Sequence, residues 1–158
     1  MTIATTSTTS PTSRQRHAEL DFCLDLARAQ ALLAGRLDER LGTLHGISFS
    51  DFQLLSHLNR APGARLRRAE LAGRVALSAS SVTRALLPLE KIGLVAREPD
   101  PRDTRLSYAT LTAAGRALLP TAAETAQMVC ARTLKAAPEQ FAPLATLLAA
   151  LLPHMEPA

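Results

Sequence analysis

Tryptophan is absent and tyrosine occurs once, at Tyr108, so that with four phenylalanines only 3% of the 158 residues are aromatic. So little aromatic surface argues against recognition by stacking on exposed bases or sugar rings. Cysteine occurs twice, as Cys23 and Cys130, too few and too distant for a disulfide framework; the expectation is a reduced, cytoplasmic protein. No apolar run approaches the roughly 18–20 residues that a membrane span needs, and no membrane partner is expected. The opening MTIATTSTTSPTSRQRH has no apolar stretch between a charged start and a cleavage site. It is expected to be a Ser/Thr-rich disordered arm over 1–15 and not a secretory signal. Catalytic patterns are missing too: there is no GxSxG, no phosphate-cradling glycine loop and no paired-carboxylate arrangement apart from one acidic turn. The four histidines, His17, His45, His57 and His154, have no metal-ligand spacing. Neither an enzyme nor a cofactor is expected.

Leucine and alanine are abundant, which favours helix, and the length suits one domain with a real core. The net charge of +4 is unevenly spread. Arg60 to Arg105 holds ten Lys/Arg against five Asp/Glu, and the remainder eight against nine. A basic middle third in an otherwise balanced chain suggests a polyanion, because phosphate contacts supply affinity through counterion release. A merely solvated arginine-rich surface is the plainer alternative.

Apolar residues from Arg16 to about Thr43 keep helical spacing (Leu20, Leu24, Ala27, Ala31; Phe22, Leu26, Leu33, Leu37), over a face wider than one neighbouring helix covers. A second helix starts at Ser48 or Ser50 and stops at Ala61-Pro62-Gly63. Arg68 to Val75 predicts a short helix, and Ser78 caps the next one, Ala79 to about Ile92, which Gly93 ends. LVARE (Leu94–Glu98) and LSYATL (Leu106–Leu111) predict an antiparallel hairpin around the tip PDPRDTR. Thr112 caps a long helix in which Pro120 is expected to produce a kink, and Pro138 opens a last helix. The fold class is mainly α with a small β-hairpin.

On a helical wheel Val82, Ala85, Leu86 and Leu89 share the core side, while Ser80, Arg84 and Lys91 lie opposite with Thr83 at the edge. Small hydroxyls followed by a long cation suit a helix entering a major groove by its N-terminal end, where its N–H groups can meet a phosphate. Arg84 can bond a guanine bidentately or clamp a phosphate, and both remain open. A helix pair buried in a protein interface, with a solvated polar face, would show the same pattern. The hairpin is an independent signal. Pro99 and Pro101 stiffen its tip, Arg102 and Arg105 would project from it, and an arginine so presented fits a narrow minor groove. Asp103 can hold the Arg105 guanidinium and restrict its rotamers.

The run LAGRVALSASSVTRALLPLEKIGLVAREPDPRDTRLSYATLTAAGRALL resembles the MarR family of bacterial winged-helix transcription regulators. The likeness lies in the Leu-Ala helix, a serine-rich helix ending LEKIGLV, an acidic wing with Asp-x-Arg, and LTxxG (Leu111, Thr112, Gly115). It covers about Ser48 to Leu119 and implies a winged helix-turn-helix over 48–111, flanked by a helical dimerisation region from 16–47 and 112–158. Ser78, Ser80, Ser81, Thr83 and Arg84 would face the major groove; Arg102, Asp103 and Arg105 would form the wing contact. The resemblance further implies a homodimeric repressor on double-stranded DNA, with pseudo-palindromic half-sites about 10 bp apart.

Such regulators release DNA when a small phenolic or anionic effector binds, or when a cysteine is oxidised. For an effector, the candidates are Arg28, His45, Phe49, Phe52 and His57. For oxidation, Cys23 stands near the reactive position of the hydroperoxide-sensing subgroup and Cys130 near a resolving one. That subgroup orients its thiol with tyrosines, whereas here Phe49 stands near one such position. Asp21 and Asp25 flank Cys23 and would raise a thiol pKa. A buried structural cysteine is therefore the expectation. A winged-helix module that binds protein instead of DNA is the remaining alternative.

Overall fold

The computed structural model describes residues 13–100, 103 and 106–155. The chain divides after Gly35 into two compact units. The described part of the first is a single stretch of helix, the N-terminal portion of α1 (Ser13–His45), with Leu20, Phe22, Leu24 and Leu32 exposed. This helix starts slightly ahead of the expected Arg16. The rest of the proposed 1–15 arm lies outside the described residues.

The second unit holds the end of α1, then α2 (Phe49–Asn59), β1 (Arg65–Arg67), α3 (Arg68–Arg74), α4 (Ala79–Lys91), β2 (Val95–Pro99), β3 (Ser107–Leu111), α5 (Ala113–Leu134) and α6 (Phe141–Met155). Gly46, at φ +68°, turns the chain out of α1. Of the two candidate caps for α2, Ser48 is the one used. Its hydroxyl accepts from the Asp51 N–H at 3.0 Å and the Asp51 carboxylate accepts from the Ser48 N–H at 2.9 Å, a reciprocal capping box. Asp38 of α1 adds an acceptor for the Phe49 N–H at 2.6 Å, so three side-chain bonds fix where α2 begins.

One strand is unexpected. Arg65–Arg67 pairs antiparallel with β3, giving a three-stranded sheet in the order β1-β3-β2 instead of a lone hairpin. Leu66 lies opposite Ala109, and Val95 opposite Leu111. A two-stranded hairpin is marginal in water, and the third strand together with the helices behind it is what makes this sheet stable.

The core sits among α2, α3, α4 and the sheet. Leu54, Leu55, Leu58, Leu71, Val82, Leu86, Leu89, Val95 and Leu111 are fully buried. Leu37 and Leu41 of α1 are buried as well. Their spacing of four places both on one side of the helix. α5 runs through Pro120 as one helix. In α6, Phe141, Leu144, Leu147, Leu148 and Leu152 are all exposed. Among the described residues no helix is long and apolar enough to cross a membrane.

Candidate nucleic-acid interface

α3 and α4 form a helix-turn-helix whose two C-termini are closed in the same way. After α4, the Leu94 N–H reaches the Leu89 carbonyl at 3.0 Å and the Gly93 N–H reaches that of Glu90 at 3.1 Å, with Gly93 at φ +77°. This is the Schellman closure, and glycine suits its left-handed position. After α3, Leu77 bonds Ala72 at 3.0 Å and Ala76 bonds Gly73 at 3.3 Å, but the left-handed residue, at φ +53°, is Ala76. The turn between the helices therefore carries backbone strain at an alanine. Arg68 of α3 and Glu90 of α4 bridge the pair at 3.0 Å, both mostly shielded from water.

α4 is oriented by its apolar side. Val82, Leu86 and Leu89 are buried, Ala85 is half-buried, and Ser80, Arg84 and Lys91 face out as the wheel predicted. Ser78 caps the helix by accepting from the Ser81 N–H at 3.1 Å, and its hydroxyl also lies 3.0 Å from that of Ser80 and 2.9 Å from that of Ser81. The three serines thus form one hydrogen-bonded cluster at the start of the helix. Thr83 donates to the Ala79 carbonyl at 2.9 Å and is half-buried. Arg84 stands clear of the cluster, exposed, one turn further on. Leu87 is 56% exposed on this outward side, and nothing in the structure explains its apolar character.

The wing follows from β2 and β3. Its base is tied to the helices through the LTxxG motif. Thr112 caps α5 by accepting from the Gly115 N–H at 3.1 Å, while its hydroxyl donates to the Gly93 carbonyl at 2.7 Å. Gly115 packs so tightly on the Leu94 carbonyl and the Leu111 side chain that a Cβ would overlap both. This is why glycine is needed there: the end of α4, the root of the wing and the start of α5 meet at one point. Beyond β2, the Asp100 N–H bonds the Leu106 carbonyl at 3.0 Å and the Leu106 N–H bonds the Asp103 carbonyl at 2.9 Å, closing the tip. Arg102 and Arg105 lie outside the described residues, so their predicted contacts, and the Asp103–Arg105 pairing, have no geometry here. Asp103 is half-buried.

Sequence reasoning missed the wing's own ion pairs. Asp100, only 3% exposed, receives the Arg67 guanidinium at 2.8 Å. Arg65 lies 3.7 Å from Glu98, and the Arg65 and Arg67 guanidinium carbons stand 4.9 and 5.7 Å from the centre of the Tyr108 ring. Without β1 in the reading, nothing signalled these partners.

Of the four effector candidates on the second unit, Phe52 lines one of two cavities found there and the other three line neither. His45 is occupied structurally, its Nε2 lying 2.8 Å from the Thr125 hydroxyl of α5. Phe49 and Phe52 stack at 6.5 Å. Phe52 lines a groove of about 230 Å³ with Ser56, Asn59, Arg60, Arg116 and Leu119. His57 is half-buried, and its pKa is pushed below the ordinary 6.5 by desolvation and then by Arg60 and Arg74. Arg28, on the first unit, is exposed. A larger cavity, about 450 Å³, opens between the C-terminal part of α1 and α5, lined by three arginines (Arg36, Arg40 and Arg132) and one acid, Glu39, with Thr125 and Met128. The i, i+4 spacing of Arg36 and Arg40 was visible in the sequence, but their meeting with Arg132 was not.

The cysteine expectation needs correcting. Cys23 is exposed, not buried, because within its own unit it sits on a lone helix. Cys130 is half-buried on α5.

Known proteins share this arrangement. A family model described as MarR family matches residues 45–106. The HTH-type transcriptional repressor Rv2887 of Mycobacterium tuberculosis H37Rv is 35% identical over 117 residues, 73% of this chain and 82% of the relative. A MarR family transcriptional regulator from Streptomyces coelicolor, solved in complex with DNA, superposes with a TM-score of 0.80 at 27% identity, covering 94% of this chain and 92% of that one. The transcriptional regulator BldR from Sulfolobus solfataricus gives 0.80 at 26% identity, covering 87% and 96%. The wing root locked by Thr112 and Gly115, the capped serine-rich helix, and the identity across most of the chain lead to one conclusion: the chain belongs to the MarR family of winged-helix transcriptional regulators.

Proposed function

We propose that the protein is a homodimeric repressor that lays α4 in the major groove of a pseudo-palindromic duplex and its wing in the adjacent minor groove. The observation that carries this reading is the two-sided α4: Val82, Leu86 and Leu89 anchor it while the serine cluster and Arg84 face out. Ser78, Ser80, Ser81 and Thr83 allow close approach to the groove edges, Arg84 supplies a base or phosphate contact, and Arg102 and Arg105, aided by Asp103, supply the wing contact. The likeness to a regulator solved with DNA supports it.

A second copy would cover the exposed leucines of α6 and those of the N-terminal part of α1. An anionic effector is supported by the cavity beside Arg36, Arg40 and Arg132, whose volume lies in the range of small-molecule sites. A gel shift on the DNA flanking the protein's own gene tests the scheme. Salicylate-like phenols should release the duplex, and Arg132→Ala should abolish that release while leaving DNA binding intact. Release that persists in Arg132→Ala would place the effector elsewhere.

A second reading is a peroxide sensor acting through the Cys23 thiol, which is exposed in a single copy of the chain. Peroxide release that survives Cys23→Ser removes it.

A further inference from the structure

The acids of the wing invite the question of what they do, since a duplex would repel them. Asp100 stands at the point where β2 ends and the tip begins, and its N–H bonds the Leu106 carbonyl at 3.0 Å to close the loop. Its carboxylate is almost wholly removed from water, which is costly unless a counter-charge is held in good geometry. Arg67 supplies that charge at 2.8 Å. Arg67 occupies two structures at once. It is the last residue of β1 and the N-cap position of α3, where its N–H bonds the Glu70 carboxylate at 3.2 Å. In register, Arg67, Tyr108 and Glu98 form a row across all three strands, and Arg65 joins the row by pairing with Glu98 and standing over Tyr108.

We propose that Arg67 and Asp100 form a latch that sets the direction in which the wing leaves the sheet relative to the helix-turn-helix, and so act as positioning residues for DNA binding. This rests on the winged reading of duplex contact. The latch runs from the first residue of the tip to the first turn of the helix pair. A change of one side therefore moves the wing's point of departure and not merely the sheet's stability. One guanidinium nitrogen of Arg67 is engaged by Asp100, as one of Arg68 is by Glu90. A duplex would be met by Arg84 and the tip arginines, with Asp100 turned inward to hold the frame.

The test is a double-mutant cycle in duplex affinity on the full-length protein, using the DNA flanking its own gene and a temperature well below every variant's Tm. With Arg105 present, Asp100→Asn should weaken binding about tenfold, and in an Arg105→Ala background less than about twofold, because a wing without its contact has nothing left to aim. Arg67→Lys, which keeps the charge and loses the planar fork, should show the same dependence on Arg105, and it carries the comparison if Asp100→Asn folds poorly. Equal losses in both backgrounds would overturn the latch and leave the pair a stabiliser of the sheet. Arg105→Ala binding as tightly as the parent would remove the wing reading beneath it.

Discussion

Ala76 is one of two alanines held in left-handed backbone among the described residues, the other being Ala64 at φ +52°. Ala76 holds the left-handed position that closes α3, at φ +53°, where Gly93 holds the matching position after α4 at φ +77°. Left-handed backbone costs a residue with a Cβ roughly 1–2 kcal/mol, partly offset by the extra freedom that glycine gives the unfolded chain. Ala76→Gly should therefore raise stability by about 1 kcal/mol and Gly93→Ala should lower it by about as much, read as opposite shifts of the denaturant midpoint at unchanged slope. Equal signs would contradict the assignment of both turns to one motif. His57 gives a pH dependence. Burial, with Arg60 and Arg74 adding to it, holds its folded-state pKa below 6.5, so the unfolded chain binds the proton more readily. The stability it contributes is present above 6.5 and lost as pH falls below that value through the folded pKa. Unfolding titrations should show stability declining below pH 6.5, and His57→Gln should flatten that decline; an unchanged profile in the variant would put the titrating group elsewhere.

At the scale of elements, legibility followed the length and regularity of the pattern. α1, α2, α4 and α5 were readable because their apolar residues repeat over several turns and serine or threonine marks three of the starts. β1 was not readable: three residues, of which only Leu66 is buried, leave no alternation to detect. With β1 went its consequences, the Arg67–Asp100 pair and the row over Tyr108. The cavity beside Arg132 was hidden for a different reason, since its lining comes from helices some ninety residues apart. LTxxG was visible as a motif, but its physical cause became clear only when Gly115 was seen against Leu94 and Leu111. Gly115→Ala should cost about 1–3 kcal/mol by overpacking. Because the strain falls where the recognition helix, wing and α5 join, near-ultraviolet CD near Tyr108 or proteolysis at the tip should register it as well as the melting temperature. An alanine variant as stable as the parent would mean that this junction can open without cost.

For the whole molecule, the charge asymmetry read from composition resolves into geometry. Of the ten cations between Arg60 and Arg105, Arg65, Arg67 and Arg68 are paired with Glu98, Asp100 and Glu90. The positive field a duplex would meet is thus narrower than the sequence count suggests, and among the described residues it is left to Arg60, Arg74, Arg84, Lys91 and Arg97, all exposed. Every phosphate that these cations neutralise releases counterions, adding a slope of about −0.9 to the dependence of log affinity on log salt. The most direct measurement is the affinity of the full-length protein for the duplex flanking its own gene, titrated between about 50 and 200 mM salt, with Arg84→Ala and Arg67→Lys beside the parent. The prediction is a steep linear fall with salt, a shallower slope for Arg84→Ala if Arg84 clamps a phosphate or a lost sequence preference if it reads a base, and a weaker affinity for Arg67→Lys at every salt concentration. Affinity insensitive to salt, or an Arg84→Ala protein indistinguishable from the parent in slope and preference, would contradict a duplex-binding role for α4.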